Sequence, residues 1–119
     1  RVMLAIKSSI SEKTLLPTII FDEIDTGISG KTAGKVADLM VDIGKCRQLI
    51  AITHIPQIAA KGNEHYQVFK KVEEENTYTL IKKLSEEERE YEIAKMISGT
   101  RITESSVKAA KELINSKNR

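Results

Sequence analysis

Apolar positions along the chain alternate between helical and strand-like spacing. Val2, Ile6 and Ile10 stand four apart with Met3 beside them, so residues 1–11 carry one apolar stripe of a helix. Ser11–Thr14 is a polar break. Leu15–Phe21 is then a short apolar run, with Pro17 placed near its start because proline cannot donate to a ladder. A continuous run of this kind predicts a strand buried on both faces of a parallel sheet. Lys31–Ile43 returns to helical spacing through Ala33, Val36, Ala37, Met40 and Ile43, and Gly44 supplies the expected stop. Gln48–Thr53 is a second buried strand. Strand, helix and strand form a βαβ unit, expected as a right-handed crossover between parallel strands. The topology alone then puts Asp22, Glu23 and His54 on one edge of the sheet.

Downstream, Pro56–Lys61 is a short helical stretch with proline near its first position, and Gly62–Glu64 is a turn. His65–Val72 and Thr77–Leu84 are strand-like runs joined by Glu73–Asn76, which predicts a hairpin. Its lysines, Lys70, Lys71, Lys82 and Lys83, form a solvated face. Ser85-Glu86-Glu87-Glu88 is a capping box opening a helix that carries Ile93, Ala94 and Ile97 and stops at Gly99. Thr103 caps a last helix with Val107, Ala110 and Ile114 on one face, and Asn115–Arg119 is expected to fray. The predicted class is α/β: a parallel βαβ core followed by a β-hairpin and helices. There is no internal repeat, low-complexity tract or linker.

Composition narrows the classes. With 119 residues, 40% hydrophobic and 30% charged, the chain has the makeup of one globular domain or part of one. The 19 Lys and Arg against 17 Asp and Glu give a formal net charge of +2, too balanced to argue for nucleic acid or membrane binding. No apolar stretch approaches the roughly 20 residues that span a bilayer. The single cysteine, Cys46, excludes an internal disulfide and fits a reducing cytosol. The chain opens in mid-pattern, without an initiator Met or a helix cap, and is expected to be a piece of something longer.

The candidate chemistry lies between Thr18 and Gly30. Asp22 and Glu23 fall where the first strand ends, outside which open α/β sheets bind ligands. One Asp beside nucleotide phosphates is enough protein to hold Mg²⁺, which keeps several waters. A neighbouring Glu free of the metal can orient or deprotonate a water. A strand simply ending in two solvated acids is the competing reading. His54, beyond the second strand, could donate a hydrogen bond to a γ-phosphate oxygen. Asp25 to Thr32 mimics a phosphate-binding P-loop, but the pattern requires glycine where Asp25 stands. Asp22, Glu23 and Asp25 would repel the phosphate such a loop wraps.

Ile19-Ile20-Phe21-Asp22-Glu23 resembles the Walker B box of ATP-binding-cassette ATPases. The longer run to Gly30, followed by Ile50-Ala-Ile-Thr-His-Ile-Pro-Gln-Ile-Ala-Ala60, resembles the C-terminal half of the ATPase head of the RecN family. Those bacterial double-strand-break repair proteins are related to SMC proteins. Arg1–Lys7 is similar to the helix after that family's Leu-Ser-Gly-Gly-Glu signature, and Met96–Ser106 to the family's close. The resemblance implies the C-terminal portion of a P-loop NTPase head of ABC/SMC type, with residues 1–119 as one lobe. It implies Asp22 as the Walker B acid holding Mg²⁺ through water, and Glu23 as the catalytic carboxylate. Asp25 would lie in a D-loop acting across a head-to-head homodimer, and His54 would be the switch histidine on the γ-phosphate of ATP. Walker A, the Q-loop, the signature and the coiled coil are expected upstream, so this segment alone is expected to be inactive. The implied setting is cytoplasmic and nucleoid-associated, with DNA as partner of the full-length protein. An ABC transporter ATPase subunit and a non-catalytic interaction module are the alternatives.

Overall fold

The computed structural model describes residues 17–23 and 26–116. The expected helix over residues 1–11, the start of the first strand at Leu15 and Leu16, Asp25, and the tail beyond Ser116 lie outside them. The described elements run β1 (Thr18–Asp22), α1 (Gly30–Gly44), β2 (Gln48–Ile52), α2 (Pro56–Lys61), β3 (Tyr66–Glu73), β4 (Asn76–Lys83), α3 (Glu86–Ser98) and α4 (Glu104–Asn115). The chain divides into two compact units, with the boundary between Ile58 and Ala59 inside α2.

In the first unit β1 and β2 pair in parallel, from Thr18 opposite Gln48 to Asp22 opposite Ile52. Parallel strands need a crossover, and α1 provides it. Ala33, Val36, Ala37 and Met40 form the buried stripe of α1 and pack with Phe21, Ile55 and Ile58; Ile19, Ile43 and Leu49 close the cluster. The expectation of strands buried on both faces is corrected here. Ile20, Ile50 and Ile52 are 62%, 44% and 53% exposed. They share the face on which Thr18 Oγ1 donates to Gln48 Oε1 at 3.0 Å, while α1 covers the other face. Gly44 does not act as a left-handed cap either. It stays in α1, and Lys45 ends the helix in right-handed geometry, with the Lys45 amide donating to Asp42 O and the Cys46 amide to Ile43 O. Cys46 follows as an exposed free thiol.

In the second unit β3 and β4 form an antiparallel hairpin, with Val68 opposite Ile81 and Glu73 opposite Asn76. The loop is thus Glu74-Glu75, tighter than the expected Glu73–Asn76. Lys71 pairs with Glu73 at 2.5 Å and Lys83 with Glu64 at 2.6 Å, while Lys82 pairs with Glu88. These lysines are solvated and matched by acids. Ser85 and Glu88 close the expected capping box on α3, and α3 stops at Gly99 with φ 75. Thr103 caps α4, with Ser106 completing a second box. Ile93, Ala94, Ala60 and Ala110 are fully buried between α3, α4 and the end of α2, and Val107 and Ile114 pack against them.

Candidate functional site

The parallel register fixes where the predicted residues go. Asp22 closes β1 opposite Ile52, the last residue of β2. Glu23 N donates to Ile52 O at 3.2 Å, which carries the ladder one step past the strand. His54 follows Ile52 by two residues. Neighbouring strands lie about 4.8 Å apart, so both acids and the imidazole come to one rim of one sheet. All three residues are exposed there.

Local chemistry turns each chain away from the sheet at this rim. Glu23 takes φ 50, a left-handed conformation costing a non-glycine residue about 1–2 kcal/mol. The turn is fastened by Thr26 Oγ1, which donates to Glu23 O at 3.1 Å. Such backbone strain clusters at functional sites. After β2, Thr53 Oγ1 accepts the Ile55 amide at 3.0 Å, and this side-chain turn takes Ile55 out of the strand direction. Ile55 is buried in the first core, so His54 is held between an anchored residue and a strand end. Thr26 and Thr53 are site-shaping residues that the sequence analysis did not single out. A hydroxyl one to four residues past a strand end is the signal that could have found them.

Among the described residues neither the Asp22 nor the Glu23 side chain is tied by a hydrogen bond or ion pair. No group of three or more His, Cys, Asp or Glu side chains there could hold a metal by itself. Two exposed carboxylates at a strand end suit Mg²⁺ carried by phosphates and water. Asp25 falls outside the described residues, so its D-loop role has no geometry to be judged by. Gly30, with φ 50, opens α1, and Lys31 is exposed beside it. A shallow depression in the second unit, lined by Gln67, Lys82, Glu88, Glu92 and Lys95 among others, contains none of the predicted site residues.

In fold the chain is similar to the head of an SMC ATPase. A solved structure from work on ATP-driven dimerization and DNA-stimulated activation of SMC ATPases superposes with a TM-score of 0.59. It is 23% identical in sequence and is matched over 83% of this chain and 58% of that one. In sequence the chain is similar to RecN proteins over nearly its whole length and corresponds to the C-terminal part of those proteins. The DNA repair protein RecN of Rickettsia felis is 47% identical over 115 residues, covering 97% of this chain and 21% of the relative. RecN of Bacillus subtilis is 41% identical over 114 residues, and RecN of Vibrio cholerae is 40% identical over 114. The chain thus spans about a fifth of the length of the curated relatives it matches. No protein-family model matches it.

Proposed function

We propose that this chain is the C-terminal lobe of an ATPase head in a RecN-type DNA repair protein, and that the rim of β1 and β2 is its share of the ATP site. The single observation carrying this reading is the parallel pairing that brings Asp22, Glu23 and His54 to adjacent strand ends. Similarity to proteins named for DNA repair, and to a head described by ATP-driven dimerization, supports it.

Each residue then has a distinct task. The Asp22 carboxylate would hold Mg²⁺, which would supply positive charge beside the phosphates. Glu23, one residue further and turned off the strand by its left-handed backbone, orients the attacking water and accepts its proton. His54 donates a hydrogen bond to a γ-phosphate oxygen and so registers whether that phosphate is present. Asp25 belongs to a loop that communicates across a head-to-head homodimer. Bound Mg–ATP supplies the phosphoryl group and the metal's charge. Positioning and charge stabilisation are most of what phosphoryl transfer needs from a protein. The cradle for the β- and γ-phosphates comes from the N-terminal half of the same head, so this segment alone neither binds ATP tightly nor turns it over. In the full-length protein hydrolysis serves DNA-end handling in the cytoplasm, at the nucleoid.

The test is Mg²⁺-dependent ATP hydrolysis by the full-length protein carrying Asp22→Asn. Turnover is expected to fall at least about a hundredfold, with excess Mg²⁺ recovering only part of it. Turnover within about twofold of the unaltered protein would remove Asp22 from the site.

A further inference from the structure

Glu23 is held at both ends of its backbone. Its amide donates to Ile52 O at 3.2 Å, one step past the parallel ladder, and its carbonyl accepts the Thr26 hydroxyl at 3.1 Å. With the amide fixed, rotation about N–Cα decides where the Cα–Cβ bond points. A parallel strand runs at φ of about −120°, roughly half a turn from the φ of 50 that Glu23 takes. A residue with a Cβ is disfavoured in the left-handed region and returns to the extended one unless its surroundings hold it. Release of the Glu23 carbonyl would therefore swing the carboxylate away from its present direction.

The hold comes from the loop that follows. Among the described residues, Thr26 Oγ1 is the one hydrogen-bond donor to the Glu23 carbonyl. Gly27 next to it takes φ 79, which glycine adopts without strain. Ile28 then packs against the core that also contains Phe21, two residues before Glu23. Thr26 is thus moored to the same core that carries β1, and a hydroxyl on a moored residue can restrain what it bonds. The Thr26 side chain is itself exposed, so its methyl group adds little to that core. Its hydroxyl is what it contributes.

We infer that Thr26 is a positioning residue for Glu23: its hydroxyl holds the left-handed backbone that aims the Glu23 carboxylate off the end of β1, where a water can be oriented. The inference rests on the role given to Glu23 above.

The experiment is ATP hydrolysis by the full-length protein, comparing the unaltered sequence, T26V, T26S, E23Q and T26V with E23Q. Rates are read at steady state and, where E23Q slows the reaction, in single turnover with enzyme in excess. Valine keeps the branched shape of threonine without the hydroxyl, and serine keeps the hydroxyl without the branch. T26V is expected to lower kcat about tenfold with KM for ATP changed less than about twofold, and T26S to hold kcat within about twofold. In the E23Q background T26V is expected to alter the rate less than about twofold, because residues acting as one unit are not additive. A serine variant as slow as the valine one overturns the inference. So does an equal loss with and without Glu23, a loss carried by KM alone, or loss of the ATP-dependent dimer in T26V. An unchanged kcat for T26V beside a lowered one for E23Q overturns it too, and leaves the ATP-site reading standing. E23Q without effect on kcat defeats the role of Glu23, and this inference with it. Should T26V fail to fold, T26A removes the same hydroxyl, and its comparison with T26S and E23Q is equally decisive.

Discussion

Glu23 and Glu74 both hold positive φ, 50 and 54, and only Glu23 stands at the rim proposed as the ATP site. Glu74 is the first residue of the two-residue turn between β3 and β4, a position glycine fills without strain. Glu74→Gly in the 119-residue chain is expected to stabilise it by about 0.5–1 kcal/mol, read as a higher urea midpoint at unchanged slope. His65 offers a pH test. Burial holds its imidazole below the ordinary value of 6.5, the Arg89 cation pushes the same way, and the Glu92 carboxylate opposes both. The unfolded chain therefore takes up the proton first. Stability is full above about pH 6.5 and falls as the pH drops from there toward the lower folded value. His65→Gln is expected to flatten that fall between about pH 7 and pH 5, as followed by denaturant midpoints; an unaltered slope would remove His65 as its source. At this scale the sequence was informative where chemistry is written in residue type: an acid pair and a histidine each following an apolar run. Arg89 was not legible. An arginine between glutamates on an amphipathic helix looks solvated, and only the fold shows three carbonyls converging on it.

Elements were readable to the extent that their ends are local. Both capping boxes form because Ser85 with Glu88, and Thr103 with Ser106, satisfy helix amides within one turn. Thr103→Ala is expected to cost about 1 kcal/mol by thermal or chemical denaturation. Ile93→Ala is expected to cost about 2–5 kcal/mol, because Ile93 is fully buried between α3 and α4. The parallel βαβ pairing followed from run lengths and a helix between them. The hairpin loop came out two residues shorter than expected, because Glu74 adopts a backbone conformation that glutamate seldom takes. The open face of β1 and β2 was missed for a different reason. An apolar run says that a strand favours burial, and it does not say what supplies the cover.

Across the whole molecule, Ile20, Ile50 and Ile52 leave an apolar sheet face exposed beside the Asp22–His54 rim. Exposed faces of this kind promote association. The 119-residue chain is expected to self-associate with rising concentration in sedimentation velocity, and Ile50→Lys to weaken that; a strict monomer at all concentrations would contradict it. The same rim carries the central claim, that two parallel strands deliver an acid pair and an imidazole to one ATP site. The most direct measurement is kcat for ATP hydrolysis by the full-length protein carrying Glu23→Gln, with ATP-dependent dimerisation read in parallel. The account expects kcat to fall on the order of a hundredfold or more while the ATP-bound dimer persists. Turnover equal to that of the unaltered protein would contradict it.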